Sequence, residues 1–226
     1  MMKKAFITLI IIGILLIGAA LFIEFKSKSI QDDLVQKYEE KMYSNSSVNY
    51  SIPETTENTE KKEVIKDTFT QPNNNKKNEK NDVIGILEID SIGVKAPIVL
   101  GEENLDYVVA KYRSSSDFGE LGNVILAAHN NMRGSIFRNL HKLKIGATVK
   151  IISDNKELEY KITNRYIVEP NDTSKINFSN DKKEITLITC INHAKQRLIL
   201  TGELVNFNLV LKIGGNKCVW IRILKR

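Results

Sequence analysis

Cys190 closes the run Thr186-Leu187-Ile188-Thr189-Cys190, which has the apolar, β-branched character of a strand, and Arg197 opens the next apolar run seven residues later. A strand end holds a thiol rigidly at the mouth of a fold, and a nearby cation favours its reactive thiolate. His129 stands at the end of an earlier apolar run, Asn123–Ala128, where a positioned proton donor or acceptor is expected. A sulfur nucleophile, an imidazole and a non-titrating guanidinium are the parts that acyl transfer through a thioester needs. Each residue also has a plainer reading. A cysteine after a strand is commonly a small core residue, a strand-ending histidine can be structural, and an arginine at a rim can simply pair with a carboxylate. Of the other histidines, His141 falls on an amphipathic stretch and His193 in a turn, both places for surface residues.

Metal chemistry has little to stand on. There is no CxxC, no HExxH and no close carboxylate–histidine cluster. Glu102, Glu103, Asp117 and Glu120 form the nearest approach to a calcium site, but solvated loop charges explain them as well. No metal and no cofactor is therefore expected. The cysteines are Cys190 and Cys218, too few for a disulfide framework. A single bond between them would consume the nucleophile.

The elements that must position these groups read as β-structure. Short apolar runs alternate with turn residues from Val83 onward, the pattern of an all-β barrel or sandwich with short helices. Strands are expected at Val83–Ile89, Ile92–Leu100, Asn123–Ala128, Thr148–Ile152, Glu157–Ile167, Glu184–Thr189 and Arg197–Val205. Pro97 marks an edge or a bend. Leu158, Tyr160 and Ile162 share one strand face. Asn104–Tyr112 reads as a helical turn capped by Asn104, and Ile136, Leu140 and Leu143 give Ser135–Leu143 a helical spacing. The tail from Asn206 has strand-like content and no clear place.

The preceding residues are of another kind. Ala5–Ile23 holds no charge over 19 residues, nearly enough to span a hydrocarbon core of about 30 Å. Lys3 and Lys4 before it favour an N-terminus on the cytoplasmic side. The run outlasts the roughly 7–15 residues of a signal-peptide core and continues past Gly18-Ala19-Ala20, so an uncleaved anchor is expected. Residues 24–82 carry 10 Lys/Arg and 12 Asp/Glu with few apolar residues, which reads as a polar stalk with a short helix at Ile30–Tyr43. The chain thus divides into a cytoplasmic end (1–4), an anchor (5–23), a stalk (24–82) and a folded domain (83–226). The overall charge of +6 suits an anionic surface, and no aromatic-interleaved basic motif points to nucleic acid.

At these residues a family resemblance becomes specific. The TLITC segment with its strand-opening Arg197, the Gly119–Asn130 segment ending in His129, the Pro97–Val99 turn, Phe137, Leu140 and Gly146 stand in the order found in sortases, the cysteine transpeptidases, with class A the most similar. The resemblance covers most of residues 83–205. It implies an eight-stranded β-barrel behind an N-terminal transmembrane helix, on the outer face of a Gram-positive-type membrane. It implies Cys190 as nucleophile, His129 as general acid/base and Arg197 as the oxyanion or substrate-orienting cation. Thr189, Ala128 and Asn130 would line the substrate site, although Ala128 stands where the family often has Gly. The substrate would be an LPxTG-type sorting signal cut between Thr and Gly, and the acceptor an amine on a lipid II-like wall precursor. Two other outcomes fit the same residues: a hydrolytic or pilin-polymerising variant, and a non-catalytic surface barrel that binds peptide or wall polymer with Cys190 and Cys218 joined.

Overall fold

The computed structural model describes residues 2–45, 82–103, 105–154, 156–176, 181–212 and 218–223. One long helix, α1 (Met2–Asn45), precedes nine strands. These are β1 (Val83–Ile89), β2 (Val94–Leu100), β3 (Val109–Lys111), β4 (Gly122–Ala127), β5 (Thr148–Ser153), β6 (Lys156–Val168), β7 (Lys183–Ile191), β8 (Gln196–Lys212) and β9 (Cys218–Ile223). The first eight lie in the order β6-β5-β1-β2-β3-β4-β7-β8, and pairing of β6 with β8 closes them into a barrel. Closure leaves none of the eight wholly unpaired, which removes most of the edge liability of a β-sheet.

Alternation along the strands decides what fills the interior. Leu87, Ile89, Ala96, Ile98, Val124, Leu126, Val149, Ile151, Leu158, Tyr160, Ile162, Ile185, Leu187, Leu198 and Leu200 form one continuous core. Their period of two is the period on which the strand assignments rested. Pro97 sits inside β2 and not at an edge of the barrel. It is tolerated because β3 pairs with β2 only from Ile98 to Leu100, so the proline faces a stretch of β2 paired on one side alone.

Four expectations are corrected. The segment ending at Tyr112 is not a helical turn: Val109–Lys111 is β3, parallel to β2 and antiparallel to β4, so pairing on both flanks overrides the local cap signal. Asn104 itself lies outside the described residues. Ser135–Leu143 contains only a single 3₁₀ turn, Leu140–Lys142. Ile136, Phe137, Leu140 and Leu143 are buried as anchors of a loop, which produces the same spacing as a helix face. The tail has a place, since β9 runs antiparallel to β8 from Phe207↔Ile223 to Lys212↔Cys218. It occupies the side of β8 that β7 leaves after Glu203.

The fourth concerns the start of the stalk. Residues 24–45 continue the apolar helix without a break and pack on the barrel. Val35 and Tyr38 are buried against Ile86, with Met42, Val83 and Ile152 around them. Tyr38 Oη donates to the Ile84 carbonyl (3.1 Å) and accepts from the Asp154 amide (3.1 Å). Lys95 Nζ lies 2.9 Å from Glu39. The buried stripe is Gln31, Val35, Tyr38 and Met42, a four-three-four spacing that follows 3.6 residues per turn more closely than strict steps of four. Residues 46–81 lie outside the described residues. α1 is the one described helix long and apolar enough to cross a membrane.

Candidate active site

The site is assembled by strand register. β4 and β7 are parallel neighbours, with Val124 beside Ile185 and Ala127 beside Ile188. The ladder extends one step further, because the Ala128 amide donates to the Ile188 carbonyl at 3.3 Å. His129 is thereby carried to the level of Cys190. On the other flank β7 and β8 are antiparallel, and Cys190 lies directly across from Arg197. Residues directly opposite in an antiparallel pair share a face, with Cβ atoms about 4.5–5.5 Å apart. Histidine, cysteine and arginine, 68 residues apart from first to last, thus meet at one end of three adjacent strands.

That face is the outer one. Val124, Leu126, Ile185 and Leu187 point into the barrel, so Ile125, Ala127, Ile188 and Ile199 point out. Val168, Tyr166, Tyr112 and Ile176 pack against them. The result is an apolar floor running toward the Cys190–Arg197 pair. On the same face, at the end away from Cys190, Asn123 and Thr186 exchange buried hydrogen bonds (2.8 and 3.1 Å) that tie β4 to β7.

His129 is about a quarter exposed, and its Nε2 lies 3.8 Å from Asp106 Oδ1. Asp106 also pairs with Arg133. The loop carrying Asp106 is clasped to the loop after His129: the Tyr107 amide donates to the Arg133 carbonyl (3.2 Å), and Tyr107 takes a left-handed φ of 65°. A Cβ on Gly134 would come within 2.9 Å of the Tyr107 Cα, so this approach requires glycine. Arg197 Nη1 donates to the Ala194 carbonyl (3.0 Å) and the Gln196 carbonyl (3.3 Å), which anchors the guanidinium on the β7–β8 turn. Tyr112 reports on the surroundings. Burial raises its phenol pKa above the usual value, the charges of Glu102 and Cys190 add to the rise, and Arg197 opposes it.

The arrangement has what acyl transfer asks for: a half-buried thiol, an imidazole at the same level and a fixed cation alongside. A family model described as Sortase domain matches residues 87–205, more than half of the chain. The chain belongs to the sortase family. It is 33% identical over 128 residues to Sortase D of Bacillus subtilis (strain 168), a match covering 54% of this chain and 63% of that protein. It is 27% identical over 204 residues to Sortase A of Bacillus anthracis, covering 88% of this chain and 92% of that one. Among solved structures, sortase A of Listeria monocytogenes superposes with a TM-score of 0.53 at 26% identity, over 58% of this chain and 93% of its own. These sortases carry the names A and D alike, so the likeness shows the family without a class within it.

Two of the residues expected to line a sortase substrate site turn away from it. Thr189 is buried, and its Oγ1 donates to the Ala128 carbonyl at 2.7 Å. Alternation sends its side chain to the face opposite Cys190, so the hydroxyl ties β4 to β7 and is spent before it could reach an oxyanion. Ala128 likewise packs its methyl into the barrel core. Asn130 is half-buried beside His129. His141 and His193 are exposed.

The disulfide between Cys190 and Cys218 is excluded by register. Cys190 pairs with Arg197 and Cys218 with Lys212, at opposite ends of β8. Fifteen residues of strand separate those partners, on the order of 50 Å when extended, against the roughly 4.4–6.8 Å between Cα atoms that a disulfide needs. Cys190 is a free thiol. Two of the four carboxylates weighed for calcium face cations: Asp117 faces Lys111 at 3.5 Å and Glu103 faces Arg113 at 3.2 Å. No three His, Cys, Asp or Glu side chains gather to hold a metal among the described residues.

The sequence reading missed Asp106 and Tyr112. Asp106 lies 23 residues before His129, with no motif to link them. Tyr112 was visible only as the end of a supposed helical turn.

Proposed function

We propose that this sortase is a membrane-anchored cysteine transpeptidase. The single observation that carries the reading is the register that sets Cys190 across from Arg197 with His129 at the same level. The Cys190 thiolate attacks the carbonyl carbon of a peptide bond, and the carbonyl oxygen takes up the negative charge beside the Arg197 guanidinium. Collapse expels the amine, which takes its proton from His129, and leaves an acyl group on sulfur. An incoming amine then attacks the thioester, gives its proton back to His129 and releases Cys190.

The substrate we assign is an LPxTG-type sorting signal, cleaved between Thr and Gly. An extended peptide laid over the half-buried Tyr112, Ala127, Tyr166 and Ile176, which cover Ile125 and Ile199, would set an aliphatic side chain against this apolar cluster. The acceptor we assign is an amine on a lipid II-like wall precursor. The 14 residues between β6 and β7 leave no room for the long helical insertion usual in class B sortases, and class A is the class we assign. In the same reading α1 crosses the membrane with its start in the cytoplasm and the barrel outside.

The test is cleavage of a fluorogenic LPxTG-type peptide with and without an oligoglycine amine. Cleavage with a ligated product, lost in Cys190→Ala, is the expected outcome. Cleavage without ligation would make the protein a hydrolase. A Cys190 that neither cleaves a panel of sorting motifs nor reacts with a thiol alkylator would return the chain to a binding barrel.

A further inference from the structure

α1 gives the barrel a direction as well as an attachment. The large apolar side chains described between Ile7 and Ile23 are all more than half exposed, with no protein packed over them. The barrel begins where this run stops. Arg138 pairs with Glu24, and Ile23, Ser27 and Lys28 share a cavity with Met132, Arg133 and Ser135. Further along, Gln31 Nε2 donates to the Gly134 carbonyl at 3.3 Å. Met42 reaches a second cavity, beside Glu120 and Asp154. At 1.5 Å per residue, Met42 stands about 27 Å from Glu24 along the helix.

The barrel therefore has an end near Glu24 and an end near Met42, and the catalytic strands run between them. β4 starts at Gly122, two residues from Glu120. β7 starts at Lys183, whose Nζ is bonded to the Gly119 carbonyl. Both strands leave the Met42 end, run parallel, and carry His129 and Cys190 at or just past their far ends. The loop that follows His129 then touches Gln31 through Gly134 and Glu24 through Arg138.

We infer that the active-site end of the barrel faces the bilayer, and that the loop 131–139 rests among its lipid headgroups. This rests on reading α1 as a membrane span. The chemistry at that level suits the occupant. Phe22 and Phe25 are 66% and 75% exposed, apolar rings that no protein covers where the apolar run ends. Met132 is 56% exposed, an apolar tip set among the ion pairs Arg133–Asp106, Arg138–Glu24 and Lys28–Asp32, a mix of apolar and zwitterionic groups suited to a headgroup layer. Gln31 lies about 10 Å beyond Glu24 along α1, and its contact Gly134 is five residues from His129. The thiol thus works close above the membrane and takes acyl donors and amines held at that surface.

The test uses the full chain carrying Cys190→Ser and Cys218→Ser, reconstituted in phosphatidylcholine vesicles containing phosphatidylglycerol. Single substitutions Met132→Cys, Glu120→Cys and Ile14→Cys each receive an environment-sensitive fluorophore, and a headgroup nitroxide lipid serves as quencher. Position 132 is expected to be quenched several-fold more than position 120, with position 14 shielded from aqueous iodide. Equal quenching at 132 and 120, or the reverse order, with position 14 still shielded, overturns the inference and leaves the anchor intact. An iodide-accessible position 14 overturns the span itself, and the orientation with it.

Discussion

Thr189 and Cys190 are neighbours with opposite tasks, because successive strand residues face opposite sides. Cys190 looks out over the groove, while Thr189 looks in and bonds the Ala128 carbonyl. Thr189→Val keeps the shape and leaves that buried carbonyl without its donor, at a cost of about 1–2 kcal/mol. A lowered urea midpoint is expected. Turnover is expected to fall as well, because the lost bond joins the residues next to His129 and Cys190. Full activity in that variant would show that the strand register alone fixes the site. Asp106 meets His129 from a neighbouring loop, its carboxylate 3.8 Å from His129 Nε2 in a partly exposed setting. Pairs of that kind are worth about 0.5–1 kcal/mol. Asp106→Asn is expected to lower kcat/KM about two- to five-fold on the fluorogenic peptide. Cys190, His129 and Arg197 were legible because each ends or opens an apolar run. Asp106 was not, since nothing local to residue 106 marks a partner that only the loop clasp brings near.

Among the elements, the β7–β8 turn is the most strained. Asn192, His193 and Ala194 take φ values of 49°, 52° and 65°, three left-handed residues in succession between Cys190 and Arg197. Asn tolerates that region, but alanine does not do so freely. Ala194→Gly removes the Cβ clash and is expected to raise stability by about 0.5–1 kcal/mol, read as a higher thermal midpoint. Because Arg197 is held by the Ala194 carbonyl, the same variant tests whether the turn fixes the guanidinium. Unchanged kcat/KM would separate the strain from the chemistry. The long strands were readable from alternation, as in the Leu158, Tyr160, Ile162 series. The loop 131–139 and β3 were not. Loop anchors at Ile136 and Leu140 imitate a helix face, and three residues of β3 owe their conformation to flanking strands that lie elsewhere in the sequence.

At the scale of the whole molecule, the boundary between anchor and domain was the least legible feature. Composition marks 24–82 as too polar to form a core by itself, yet its first part completes the core of another unit. Val35 and Tyr38 meet a surface made by Ile86, Val83 and Ile152, and that surface exists only once the barrel has formed. A chain that starts at Val83 would expose it, while a chain that starts at Glu24 keeps it covered. Fully burying an apolar side chain stabilises by about 1.5–3 kcal/mol, so Val35 and Tyr38 together contribute about 3–6 kcal/mol, an upper figure because unfolded chains already bury some surface. The shorter chain is therefore expected to unfold at lower urea and to bind a hydrophobic dye that the longer one excludes. Tyr38→Ala in the longer chain is expected to move it most of the way to the shorter one. Equal midpoints for the two chains would mean that the helix lies on a barrel already complete without it. The docking would then serve only to hold the active-site end in place.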